Sequence, residues 1–199
     1  MTVATQSSTM TAEEFFEWAN RPENSSTLYE LVDGEIVEMP SPGERHGTVC
    51  WLVSYYLGSY VFKRRAGQVL TNDTGLVVRR NPDTVRGPDV TLFLEKRSMD
   101  QLSPGHLQRV PNLLVEVLSP SDTFSQTLRR VDQYLELGVP MIWVLEPEER
   151  CVHQFRLDEL RKRFDIGDTI TGNGVLPDYE CRVADFFTLP GDEPTRMPS

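Results

Sequence analysis

The sequence predicts a mixed α/β (α+β) fold, with a central mixed β-sheet flanked by helices and preceded by an N-terminal helix and a β-hairpin. Three observations predict it. Short apolar or alternating runs recur, the clearest being Leu113-Leu114-Val115-Glu116-Val117-Leu118, and a run apolar almost throughout suits a strand covered on both faces. Two longer segments, 44–65 and 122–137, carry apolar residues at helical spacing, and strands interleaved with helices pack as layers around one sheet. The 199 residues suffice for one hydrophobic core, and no repeat or linker divides residues 11–190.

In chain order, residues 1–10 read as disordered. Thr11-Ala12-Glu13-Glu14 has the form of a capping box that opens a helix to about Asn20, with Phe15, Phe16 and Trp18 on its apolar side. Asp33-Gly34, set between two alternating runs, predicts a hairpin over 29–39, since both residues tolerate positive φ. After Pro40-Ser41-Pro42-Gly43, a helix over 44–65 places Val49, Leu52, Val53, Tyr56, Leu57 and Tyr60 on one stripe. It ends in Lys63-Arg64-Arg65, basic residues that suit the negative end of the helix dipole. Strands are expected near 68–71, 75–79, 89–94 and 113–118. A helix over 122–137 is stopped by Gly138, and a hairpin pairs 141–145 with 151–156. Further short strands, a helical turn near 183–187 and a Pro-rich, frayed tail over 191–199 complete the chain.

Bulk composition excludes several classes. Hydrophobic content of 39% and charged content of 25% are those of an ordinary globular protein. No apolar run approaches the roughly 20 residues of a membrane-spanning helix, and the first residues lack the basic and apolar regions of a secretory leader. Cys50, Cys151 and Cys181 are few, odd in number and widely spaced, and the sequence reads as having no CxxC or Cys/His cluster. The absence of any Cys/His cluster is expected to exclude a disulfide scaffold and a structural zinc, and makes the cytoplasm the expected compartment. A net charge of −10 opposes general affinity for nucleic acid, so a DNA-directed role requires a local basic patch, an oligomer or metal ions.

Two strings carry the chemistry. Arg86-Gly87-Pro88-Asp89-Val90 and the 113–118 run each set one carboxylate in an otherwise buried strand, where an ionised group is costly unless paired, hydrogen-bonded or metal-bound. Side by side, Asp89 and Glu116 would offer the hard oxygens that Mg²⁺ or Mn²⁺ prefers. The alternative for each is an exposed position, or pairing with an Arg such as Arg86. On helix 122–137, Arg130 shares a stripe with Tyr134 and Leu137 and points at the sheet, while Arg129 points to water. A buried Arg130 wants anionic partners, either carboxylates with a bound cation or a phosphate. Strand alternation leaves Glu30 opposite in face to Tyr29 and Leu31, and an exposed edge position is its simplest reading. His46, one turn before Val49 and Cys50, fits a core or capping role as well as a site role. Asp73-Thr74-Gly75 is the aspartic-protease tripeptide, but it lacks the preceding apolar pair and reads as a turn. Ser119-Pro120-Ser121 has no GxSxG elbow around it and reads as a helix cap. No GxxxxGK[ST] or GxGxxG string is present.

Taken in order, Tyr29-Glu30-Leu31-Val32-Asp33-Gly34-Glu35, His46, Val85-Arg86-Gly87-Pro88-Asp89-Val90, Val115-Glu116-Val117-Leu118-Ser119-Pro120-Ser121 and Tyr134–Pro140 with Trp143-Val144 resemble the Uma family, bacterial restriction-endonuclease candidates of the PD-(D/E)xK nuclease superfamily. The resemblance covers about residues 11–190. It implies a restriction-endonuclease-like core holding Mg²⁺ or Mn²⁺ and hydrolysing DNA phosphodiesters, with a homodimer expected by analogy with enzymes that cut two strands. It implies Asp89 and Glu116 as metal ligands, with the backbone carbonyl of Val117, and Glu30 and His46 as further polar site positions. Leu118 stands at the (D/E)xK lysine position. The family's alternative lysine, on the next helix four residues before Tyr134, is here Arg130, which suits phosphate oxygens but stays protonated. Two other readings follow: a weakened nuclease fold serving as a nucleic-acid-binding or assembly module, and a metal-binding structural or regulatory protein.

Overall fold

The computed structural model describes residues 9–120 and 122–192. The capping box forms as expected and starts α1 (Ala12–Ala19): the Thr11 hydroxyl accepts from the Glu14 N–H at 3.2 Å, and the Thr11 N–H donates to Glu14 at 2.8 Å. Of the leading segment expected to be disordered, residues 1–8 lie outside the described residues. Met10 is tied down, its N–H donating to the Gly34 carbonyl at 3.1 Å. The hairpin β1 (Leu28–Val32) and β2 (Glu35–Met39) turns through Asp33 and Gly34, both at positive φ. Helix α2 (Glu44–Arg64) follows and ends on a left-handed Arg65.

Strands β3 (Gln68–Leu70), β4 (Leu76–Arg79), β5 (Thr84–Arg86), β6 (Val90–Phe93) and β7 (Leu113–Val117) lead to α3 (Phe124–Leu137). The chain continues through β8 (Ile142–Glu146), β9 (Cys151–Phe155), β10 (Lys162–Phe164), β11 (Thr169–Thr171) and β12 (Glu180–Arg182), then a 3₁₀ turn at Val183–Phe186. Six strands form a mixed sheet in the order β10-β9-β8-β7-β6-β3, in which only β7 and β8 run parallel, joined by the α3 crossover. A four-stranded antiparallel sheet, β2-β1-β5-β4, stands beside it.

Strand β5 is absent from the sequence reading, and its presence changes the hairpin. Pairing of Leu31 with Val85 makes β1 an internal strand instead of an edge. The cap of α3 also differs. Thr123, not a serine, accepts from the Gln126 N–H, while Gln126 Oε1 takes the Thr123 N–H at 3.0 Å. Ser119 instead donates its N–H to Asp122 at 2.8 Å, and Ser121 lies outside the described residues.

The six-stranded sheet is covered on both faces. Val49, Val53, Leu57 and Val61 of α2 pack on Leu113, Val115, Val117 and Trp143, whereas Val131 and Tyr134 of α3 pack on Leu114, Ile142 and Val144. This alternation explains why β7 reads as an apolar run. Trp143 is fully enclosed beside Tyr179 and Phe186, and its indole N–H donates to Gln154 at 3.2 Å. Trp143→Ala is expected to remove about 3–5 kcal/mol of unfolding free energy. Trp51→Ala, on the outer face of α2 at 51% exposure, is expected to stay within about 0.5 kcal/mol of the unsubstituted protein. Paired urea titrations followed by circular dichroism check both.

Candidate active site

The cleft is built first by strand register. Val90 pairs with Val115 and Thr91 with Leu114, so β6 begins where β7 ends, and Asp89, one residue before β6, lines the same cleft as Glu116. Since Leu113, Val115 and Val117 face α2, Glu116 faces α3. There the Tyr134 hydroxyl donates to Glu116 Oε1 at 2.6 Å and Arg130 Nη1 donates to Oε2 at 3.3 Å. Arg130 therefore points at the sheet, and Arg129 is exposed, as helical geometry predicts.

Glu30 departs from its expected exposure. It is 3% exposed, because β5 covers the side that a hairpin edge would leave open. Its carboxylate accepts from Arg86 at 2.7 Å, from the Gly87 N–H at 3.0 Å and from Arg130 Nη2 at 3.2 Å. Arg86 thus pairs with Glu30, and not with Asp89. Asp89 is held by the Val117 N–H at 2.7 Å and by His46 Nε2 at 3.1 Å. His46 belongs to the cleft, and Cys50, one helical turn on, brings its sulfur 3.5 Å from His46 Nδ1. The nitrogen, sulfur and oxygen of His46, Cys50 and Asp89 all lie within 4.8 Å of one another.

Asp73 was missed. The tripeptide does form a turn, with Asn72 and Asp73 at φ 60 and 51 in the link between β3 and β4, yet Asp73 also lines the cleft. Gly87 permits this approach, because a Cβ there would lie 2.9 Å from that of Asp73. Nothing within its own segment signals this, because an acidic residue in a turn is ordinary. Glu30, His46, Asp73, Asp89, Glu116 and Arg130 line a cleft of about 100 Å³, with Val117 in its wall. At about 30 Å³ per water, a divalent ion and a few waters fit, and a nucleotide must lie across the mouth.

Electrostatics mark the cleft as short of positive charge. Burial, then the charge of Asp89, pushes the Asp73 carboxyl up to about 6. Burial also holds Glu116 well above the usual carboxylate range; Arg130 opposes this but is shared with Glu30, while Asp89 adds repulsion. Burial pulls His46 down, but the hydrogen bond and charge of Asp89 outweigh it, so His46 rises above its ordinary value. Burial raises Asp73 and Glu116 first and the neighbouring carboxylates add to it, a repulsion that a bound cation would relieve. The donor set fits a hard divalent ion: Asp89 and Glu116 line one cleft, and each of their oxygens keeps a lone pair beyond its present partner.

The architecture is thus a mixed sheet with helices on both faces and an acidic cleft at its end. Among solved structures, the chain is similar to a crystal structure of a putative nuclease belonging to DUF820 from Anabaena variabilis, at a TM-score of 0.72 and 19% identity, covering 89% of this chain and 97% of that one. The family model described as "Uma2: Putative restriction endonuclease" matches residues 12–184, and the chain belongs to that family. No curated protein matches the chain. The family membership and fold class expected from the sequence are thus borne out.

Asp73 yields a signed prediction. Its folded value, about 6, lies above the ordinary carboxyl value of 3.8, so its penalty is absent at low pH, grows from about pH 4 to about pH 6 and is constant above. Two units amount to about 3 kcal/mol, and partial exposure reduces this to about 1–2 kcal/mol. Asp73→Asn is expected to stabilise the chelator-treated protein by that amount at pH 7.5 and by only about a fifth of it at pH 4, read by thermal melts across pH.

Proposed function

We propose that this protein is a divalent-metal-dependent endonuclease that hydrolyses phosphodiester bonds in DNA. One observation supports the reading: Asp89, at the start of β6, and Glu116, near the end of the adjacent β7, line one small acidic cleft that also contains the Arg130 guanidinium. Asp89 and Glu116, with the main-chain carbonyl of Val117, would hold Mg²⁺ or Mn²⁺. When bound, such an ion polarises the scissile phosphate and lowers the pKa of a coordinated water.

The remaining steps belong to the chain. Arg130 offers a planar donor fork to the non-bridging oxygens of a phosphate lying across the cleft mouth. Glu30 positions that fork and also holds Arg86 and the Gly87 N–H, which fixes the segment leading to Asp89. His46 and the Val117 N–H orient the Asp89 carboxylate. Tyr134 holds Glu116 in its rotamer. Two copies would bring one cleft to each strand of a duplex, which supports a homodimer. Among the described residues no helix is long and apolar enough to cross a membrane, and the cytoplasm is the compartment we assign.

A second reading is favoured by Arg130 itself. It stays protonated at any ordinary pH, so it neither accepts a proton as a base nor gives one up as an acid, and both of its ion pairs here are to carboxylates. A nuclease fold retained for binding or assembly would tolerate that.

Plasmid nicking with Mg²⁺ or Mn²⁺, with a chelator control, decides between them. Metal-dependent cleavage is expected, falling about 10²–10³-fold in Asp89→Ala and Glu116→Ala, the scale of a lost metal-centred stabilisation. Equal residual cleavage in all three proteins would mark a contaminant. A silent parent protein revived by Arg130→Lys would establish the second reading. Retention on immobilised DNA that does not weaken between low and moderate salt would remove phosphate binding from both.

A further inference from the structure

At the far end of the β8–β9 hairpin a second group of ligand atoms converges, outside the cleft. Glu146 pairs with Cys151 across the ladder, and His153 lies two residues beyond Cys151, so all three side chains share one face. Glu146 Oε2 is 3.3 Å from His153 Nε2 and 3.7 Å from Cys151 Sγ, and Sγ is 3.6 Å from Nε2. A tetrahedral zinc with Zn–N and Zn–O bonds of about 2.0–2.1 Å and Zn–S of about 2.3 Å sets its N and O ligands about 3.3 Å apart and its S about 3.5–3.6 Å from either. The three observed separations are those edges to within about 0.2 Å.

The surroundings agree. Cys151 is fully buried and His153 is 3% exposed, with Glu146 at the rim. His153 Nδ1 has no hydrogen-bond partner, so Nε2, aimed at Glu146 and Cys151, is the ring's sole polar outlet. The Phe124 ring closes the site edge-on, 5.6 Å from the imidazole. Two nearby cations are turned elsewhere. Arg163, opposite His153 on β10, donates to Asp165 at 2.8 Å, and Arg161 lies over Phe124.

We propose that Glu146, Cys151 and His153 form a second metal site, selective for a zinc-class divalent ion and completed by a solvent ligand at the rim. One nitrogen, one thiolate sulfur and one carboxylate oxygen suit Zn²⁺ and its substitute Co²⁺, and exclude Mg²⁺. Uptake releases the Cys151 thiol proton to solvent and forms the metal–sulfur bond. The site would clamp the end of β8, the strand that pairs with β7 beside Glu116.

Cobalt titration of the full chain tests it, because four-coordinate thiolate-bound Co²⁺ shows intense visible bands and a sulfur-to-metal charge-transfer band. The cleft holds another thiol, Cys50, so the variants must separate the two. The bands are expected in the parent protein and in Cys50→Ser, and are expected to be lost in Cys151→Ser. Glu146→Gln, at the rim and harmless to packing, is expected to weaken Co²⁺ and Zn²⁺ more than about tenfold, the least that loss of a direct ligand costs, with an unchanged circular dichroism spectrum. Bands that survive in Cys151→Ser and vanish in Cys50→Ser would overturn the proposal. So would affinity unaffected by Glu146→Gln, or no charge-transfer band in the parent.

Discussion

The molecule turns on a single guanidinium shared by two buried carboxylates. Arg130 reaches Glu116 on β7 and Glu30 on β1, and those strands belong to different sheets. The bridge therefore lies at the seam between the six-stranded and four-stranded sheets, with α3 as its third side. Burying three charges is costly, and ion pairs of this kind contribute little net stability against an apolar replacement. Removing one partner is another matter, because it strands a charge in a dry site. The arrangement makes geometric sense as a way of fixing where two sheets meet, and that meeting line is where the acidic cleft opens.

Secondary structure was legible wherever periodicity was long or turn chemistry strong. The Thr11 capping box, the Asp33-Gly34 hairpin, the long α2 stripe and the unbroken apolar β7 each declared themselves locally. What escaped was short or non-local. Strand β5 is three residues long, Thr84–Arg86, too short for alternation to register, although Asn81-Pro82-Asp83 before it is a turn signal. Without β5, Glu30 looked like a residue on an exposed edge. With it, the same carboxylate is internal and holds two arginines. One missed strand thus altered the environment of a candidate site residue.

The candidate site followed the same rule. Asp89, Glu116 and Arg130 were visible because a charge in an apolar strand, or on the inward stripe of a helix, is anomalous within its own segment. Asp73 was not anomalous: an acidic residue in a turn is ordinary, and only the fold shows that the turn closes on Gly87 and Asp89. The Glu146-Cys151-His153 group was hidden for a related reason. Its ligands come from both strands of a hairpin, and register, not sequence spacing, brings Glu146 to the Cys-x-His pair.

An acidic protein with an acidic cleft is at first sight a poor partner for a polyanion, and the cleft's own charge distribution addresses this. Glu30 is matched by Arg86 and shares Arg130 with Glu116, and Asp89 is met by His46, so the carboxylates lining the cleft outnumber the cations that face them. On the proposed reading, a divalent ion held there would reverse the local sign just where a phosphate would approach, and Arg130 would add a charge that no ordinary pH removes. Binding of phosphate would then depend on the ion being in place first, because without it the acidic mouth repels a polyanion. Arg130 stays protonated, so proton movement would be left to coordinated water and the carboxylates around it. On that reading, affinity for DNA and occupancy of the cleft by metal would be one equilibrium instead of two.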